Sequence, residues 1–322
     1  MKIPFSISVY EHAARLIGRS PWEVSRDPEL MWQAHRRAYE VYRHFPVVVG
    51  IDIYNLEAEA YGGTVERPAG NGIPGITRPA LGSLEEGLRV EPFEPGRAGR
   101  IGMVIEVGAR LAREFPEADI RIPVSGPFSI AASLLGLEEL LTGVATRPAE
   151  VREVLMRLIP GQVAFCRAVR EAGLDVAFFE SAAAPPLLSP EQFREVELPA
   201  LKRMMEEAAG VIGHRLACII GGDTEPIVDY MMETGTDFVI CPAETDRGRF
   251  LRRMERHPGV KVRVNLDPRA YVRGTREAIL AEVDSVIELA AGNPDILLGT
   301  GALPYETPPE NVLLIRDYVA QG

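Results

Sequence analysis

The chain has 322 residues, 46% hydrophobic and 25% charged, the balance of an ordinary soluble globular protein in which one large domain is allowed. Its net charge of −11 argues against nucleic acid or an anionic membrane as partner, and no apolar run is long enough to span a bilayer. Cys166, Cys218 and Cys241 form no disulfide framework, and the first twenty residues lack the apolar core of a signal peptide, so a cytoplasmic protein is expected.

Two helices open the chain, over 8–18 and 28–45, the second with Met31, Ala34, Ala38, Val41 and Tyr42 at helical spacing. The β-branched run 47–53 reads as a strand with Asp52 near its end, followed by a turn or two of helix closing at Gly62. Segment 63–97 is rich in proline and glycine, which excludes a long helix or a central strand. It reads either as a surface excursion or as a lid beside a binding site.

From Gly99 the pattern alternates. A helix over 103–115 precedes strand 120–124 and the loop Ser125-Gly126-Pro127, and a short helix covers 128–135. A long helical stretch over 148–172 contains Pro160, which should kink or split it. The apolar run Val176–Phe179 reads as a buried parallel strand ending on Glu180, and Ser189, Pro190 and Gln192 start the next helix with a capping box. Strands follow over 215–220, 238–241, 260–264 and 296–298, separated by helices over 225–233, 246–256 and 276–291. Thr307 and Glu310 form a second capping box for the last helix.

Strand–helix alternation implies a parallel sheet, and the length favours an α/β fold of the (β/α)8 TIM-barrel type. It occupies residues 1–322 as one domain, with a helical N-terminal segment over 1–45. Seven strands are evident; the eighth is sought in 63–97. A doubly wound sheet is the alternative, but no GxGxxG follows a strand.

In such a barrel the site is the list of residues at the carboxyl ends of the strands: Asp52, Ser125, Glu180, Asp223, Cys241 with Glu244, Asn265 with Asp267, and Thr300. This mouth is acidic with hardly any base, which suits proton transfer or a metal better than phosphate. Glu180 is either a chemical group or a cap on a loop amide. Cys241 is either a metal ligand with Glu180 or a buried neutral thiol. His214 and Cys218 stand about 13 Å apart along a strand, too far for one ion. His12, His35, His44 and His257 read as surface residues, and no catalytic triad emerges.

Four motifs in order then resemble the uroporphyrinogen decarboxylase superfamily, which includes the decarboxylase, the methylcobalamin:coenzyme M methyltransferases and the methyltransferases of anaerobic O-demethylase systems. They are Gly50-Ile51-Asp52-Ile53 with Ala60-Tyr61-Gly62, Ser125-Gly126-Pro127-Phe128-Ser129, Phe179-Glu180-Ser181 through Leu188-Ser189-Pro190, and Leu298-Gly299-Thr300-Gly301 through Thr307-Pro308-Pro309-Glu310-Asn311-Val312. The resemblance implies a (β/α)8 barrel and places Asp52 on the decarboxylase's catalytic aspartate. It also places Ser133 where that family has a tyrosine and Thr300 where it has a histidine, and the arginine-rich substrate loop is missing. The His-x-Cys of the zinc methyltransferases falls on Ile219 and Gly221, and no cysteine follows Cys241, so the usual zinc site is absent.

What the resemblance then implies is a corrinoid-linked methyltransferase. It would move a methyl group from a small methoxylated compound, such as an aromatic methyl ether, to cob(I)alamin on a partner corrinoid protein. Glu180 and Asp52 are the expected catalytic residues, with Tyr54, Ser125, Phe128, Asp223, Asn265 and Thr300 around the substrate. Glu180 and Cys241 are the candidates for a metal such as zinc, and a homodimer is allowed. The alternative is a decarboxylase of a small acid or a tetrapyrrole-like substrate.

Overall fold

The structure, a computed structural model, describes residues 3–290 and 292–321. Its strands are β1 (Phe5–Ser8), β2 (Val47–Val48), β3 (Thr64–Glu66), β4 (Gly75–Arg78), β5 (Ile120–Ser125), β6 (Asp175–Glu180), β7 (Ile219–Ile220), β8 (Phe238–Cys241), β9 (Lys261–Asn265) and β10 (Ile296–Ala302). Eight of them form a parallel barrel. One arc runs β2-β5-β6-β7 and the other β8-β9-β10-β1, and a bridge between Cys218 and Val239 joins β7 to β8. Between β1 and β2 no ladder forms among the described residues; there the Ser6 hydroxyl donates to the Phe45 carbonyl at 2.8 Å.

The eighth strand is therefore β1, inside the stretch expected to be helical, and not in segment 63–97. Four residues, buried on both faces from Ser6 onward, leave too short a pattern to separate from the helix that follows at Glu11–Arg15. Segment 63–97 instead makes the antiparallel hairpin β3–β4 and a short helix, Leu84–Gly87, outside the barrel. The Asn55 amide donates to the Pro74 carbonyl at 2.7 Å and ties this hairpin beside the carboxyl end of β2.

The long helix runs unbroken from Pro148 to Glu171. Pro160 is exposed, so the carbonyl it leaves without a donor lies toward the solvent side. A helix over Leu137–Thr146, unread in the sequence, precedes it. The Ser189 capping box forms as expected, with Gln192 N–H donating to Ser189 Oγ at 3.2 Å and Ser189 N–H to Gln192 Oε1 at 2.9 Å. The Thr307 box does not: Thr307 is fully buried and its Oγ1 has no partner among the described residues. No single helix among the described residues is long and apolar enough to cross a membrane.

The main core lies between barrel and helices, where Ile122, Val124, Val176, Phe178, Val262, Val264 and Leu298 point outward from their strands. A second, smaller apolar cluster sits inside the barrel: Tyr10, Val48, Ile53, Ala177 and Phe179, with Ile219 against it. This two-sided partition follows the two-residue period of each strand and decides where every strand-borne side chain goes.

Candidate active site

The alternation along β6 sends Ala177 and Phe179 to the barrel axis and Val176, Phe178 and Glu180 to the helix layer. Glu180 thus does not face the mouth. Its Oε2 accepts from Phe128 N–H at 3.1 Å, and its Oε1 accepts from Ser129 N–H at 2.8 Å and from the Ser129 hydroxyl. These donors belong to the first turn of the helix Pro127–Leu135, whose free N–H groups and dipole favour an anion. Gly126 makes the approach feasible: a Cβ there would stand 1.9 Å from Glu180 Oε2. Of the two readings of Glu180, the geometry is that of the amide cap.

Behind Glu180 lies Glu197, fully buried, with neither carboxyl oxygen given a donor among the described residues. Burial, and then the charge of Glu180, push the Glu197 carboxyl far above the ordinary carboxylate range. Burial also raises Glu180, opposed by its hydrogen bonds to Ser129 and Glu197. As two carboxylates they would repel with no donor between them. With one proton, Glu197 donates to Glu180 and gains the partner that its oxygens otherwise lack among the described residues. Glu197 stands at the end of a π-helical turn, Phe193–Glu197.

Asp52 is buried and held by a fork-on-fork pair: Arg100 Nη1 donates to Oδ1 at 2.8 Å and Nη2 to Oδ2 at 2.7 Å. Asn55 adds a bond to Oδ2 at 3.0 Å. Arg100 also reaches Glu59 through Nε at 2.6 Å and the Ser25 carbonyl at 2.9 Å, so one guanidinium fastens the β2 loop to two helices. Next to Asp52, Tyr54 is exposed and meets Phe179 edge-on, ring centres 6.3 Å apart; Tyr10 meets the other side of Phe179 at 6.0 Å.

The other expected residues scatter. Ser125 is buried and gives its N–H at 2.6 Å and its hydroxyl at 3.0 Å to Glu57, whose carboxyl burial pushes up to about 7. Phe128 belongs to the core between barrel and helices, not to a substrate surface. Thr300 shares the outward side of β10 with Leu298, fully buried, and Ser8 N–H donates to it at 3.4 Å. Asp223 lies on the turn after β7, with a buried Oδ1 that has no partner among the described residues. Asn265 faces inward; it accepts from Arg263 Nε at 3.1 Å, and its carbonyl from Arg247 at 2.7 Å.

The metal candidates do not converge. Glu180 and Cys241 face the helix layer from β6 and β8, with β7 between them, and burial pushes the Cys241 thiol up to about 12. No group of three or more His, Cys, Asp or Glu able to hold a metal ion exists among the described residues, so they do not fit a zinc site. Nor is the mouth short of bases: Arg100 and Arg247 stand at it, each beside a carboxylate. Three histidines expected at the surface are buried: His12, His35 and His44. His12 bonds the Tyr42 hydroxyl at 2.8 Å and His35 accepts from Gly50 N–H at 2.9 Å.

Residues 2–321 match the family model for uroporphyrinogen decarboxylase (URO-D). The chain belongs to the URO-D family. Among curated relatives, the methylated-thiol–coenzyme M methyltransferase of Methanosarcina mazei is 26% identical over 91% of this chain and 76% of its own length. The uroporphyrinogen decarboxylase of Granulibacter bethesdensis is 29% identical over 73% of this chain and 70% of its own length. A solved methyltransferase from Methanosarcina mazei superposes with a TM-score of 0.85 at 21% identity, over 99% of this chain and 94% of that one, and shares the barrel fold. Within this URO-D barrel, Ile219, at the first position of the zinc enzymes' motif, packs against the interior apolar cluster.

Sequence reasoning missed Arg100, Glu197 and Arg263. Arg100 and Glu197 act across gaps of 48 and 17 residues, which no local pattern reveals. Arg263 did carry a signal: in Val262-Arg263-Val264-Asn265 the polar residues alternate with β-branched ones, so both polar side chains share the inner face.

Proposed function

We propose that this URO-D family protein is a methyltransferase that takes a methyl group from a small methoxylated compound, such as an aromatic methyl ether, and passes it to cob(I)alamin on a partner corrinoid protein. The reading rests on similarity to a methyltransferase along nine-tenths of the chain, combined with one observation in the barrel. Thr300, at the position of the decarboxylase's histidine, is buried on the outward face and has no access to the interior. Ser133 replaces that enzyme's tyrosine, so neither acid–base group is present.

Methyl transfer from an ether breaks the methyl–oxygen bond, and the departing oxygen must gain a proton, because a free alkoxide or phenolate is a poor leaving group. Tyr54 takes this role at the mouth, its ring edge-on to Phe179, and the Asp52–Arg100 pair fixes the loop that carries it. Glu180 is a positioning residue that sets the Ser125–Ser129 turn. The hairpin β3–β4, anchored through Asn55, stands beside this side of the mouth. The positions of the thiol-activating zinc ligands hold Ile219 and Gly221, so a corrinoid is a better acceptor than a thiol.

The test is spectral. Photoreduced cob(I)alamin is mixed anaerobically with the protein and a panel of methoxylated aromatics and aliphatics, with and without a corrinoid protein, and methylcobalamin formation is followed. Conversion with one compound class is the expected result. No conversion with any donor in either format overturns the reading and leaves decarboxylation of a small acid in its place.

A further inference from the structure

TIM-barrel interiors are ordinarily filled by layers of bulky aliphatic side chains. Here many inward positions are small: Ser6, Ser8, Gly50, Ala177, Ala217 and Gly299. What they leave is a cavity of about 390 Å³ that reaches from the amino-terminal rim, at Phe45, His214 and Lys261, up to Tyr10 and Phe179. Its walls differ. Val48, Ala177, Phe179 and Ile219 make one side apolar, while Ser6, Ser8 and Arg263 make the other polar.

Arg263 is 5% exposed and lines this cavity. Its side chain lies across β10 over Gly299, where a Cβ would come within 2.4 Å of Arg263 Cδ. Nη1 donates to Ser8 Oγ at 3.2 Å and Nε to Asn265 Oδ1 at 3.1 Å; Nη2 has no acceptor, and no carboxylate pairs with the guanidinium, among the described residues. The phenols of Tyr10 and Tyr271 are the ionisable groups nearest in influence, and burial holds both un-ionised. A guanidinium cannot shed its proton, so it stays a buried, uncompensated cation. Arg100, Arg247 and Arg253, by contrast, each reach a carboxylate. Such a fork, with a free edge turned to a cavity, matches a carboxylate.

We propose that the barrel interior is a binding site for a small organic anion, a monocarboxylate with a ring-sized apolar body, reached from the amino-terminal end. Arg263 holds the carboxylate, and the ring lies against Phe179, Tyr10 and Ile219. The site does not depend on methyl transfer being the reaction.

Calorimetric titration of the full chain with benzoate, benzamide and acetate tests it. Benzamide keeps the shape and removes the charge; acetate keeps the charge and removes the ring. Benzoate is expected to bind at least about tenfold more tightly than either. In Arg263→Met that preference disappears, while the thermal midpoint without ligand equals or exceeds that of the wild type, because an uncompensated charge has been removed. Equal affinity for benzoate and benzamide, no heat at millimolar benzoate, or undiminished benzoate binding by the variant overturns the site. The wild-type comparison decides even where the variant fails to fold.

Discussion

Glu180 and Arg263 are both buried charges on barrel strands, but the strand period places them on opposite sides of the sheet. Glu180, on the helix side, meets two backbone amides, a hydroxyl and a protonated neighbour. Arg263, on the axis side, meets one hydroxyl and one amide oxygen, and keeps an edge free toward a cavity. A charge whose valences are all met by its own chain holds the fold together. One left short beside empty space is built for something that comes from outside.

The Asp52–Arg100 pair sharpens that distinction most. Arg100→Met takes the fork from buried Asp52, leaving it the Asn55 amide and Arg26 at 3.9 Å while the half-buried Glu59 keeps Arg26, and unfolding in urea is expected to show a loss of about 3–5 kcal/mol. A loss under about 1 kcal/mol would place Arg100 with Arg263 as a charge the fold does not need. Glu180→Gln comes next. It turns an amide donor toward Phe128 N–H or Ser129 N–H and should lose about 1–3 kcal/mol in the same measurement. An unchanged midpoint would break the reading of Glu180 as a cap.

The buried histidines give a pH-dependent counterpart. Burial lowers His35 to about 4 and His44 to about 3 from an unfolded value of 6.5. Between those values the unfolded chain binds protons that the folded chain refuses, so stability is full above pH 6.5 and falls as pH drops toward 4. Each contributes about 2 kcal/mol of loss by pH 5. Glu11 and Glu57, raised by burial to about 7, act oppositely: the folded state keeps their protons, so their contribution weakens as pH rises from 4.5 to 7. His44→Phe should therefore narrow the stability difference between pH 7 and pH 5 by about 2 kcal/mol. An identical pH profile would show His44 to be protonated in the fold. The smallest effect belongs to Glu197→Gln, an uncharged isostere of a protonated carboxyl, which should stay within about 0.5 kcal/mol of wild type. A loss as large as that of Glu180→Gln would move the proton onto Glu180.

The fold was legible because alternation of apolar strands and helices survives in local patterns, and the capping box at Ser189 could be read directly. The site was less so. Placing Glu180 at a strand end was correct in sequence, but its side follows from parity with Val176 and Phe178, which the expected mouth ignored. Thr300 and Cys241 fail for the same reason. Thr307 fits a capping sequence whose hydroxyl finds no partner here among the described residues. Arg100 joins Asp52 over 48 residues, and His12, His35 and His44 are covered by elements remote in sequence. Contacts of that kind leave no local trace.

The first strand of the barrel carries a consequence for synthesis. β1 finds its ladder on β10, nearly 300 residues downstream, and has none on β2 among the described residues. A ribosome releases β1 nearly 300 residues before its pairing partner. Until then both edges of that strand stay open, so the ring closes only when β10 arrives, and the half-made sheet is the form most in need of chaperone cover.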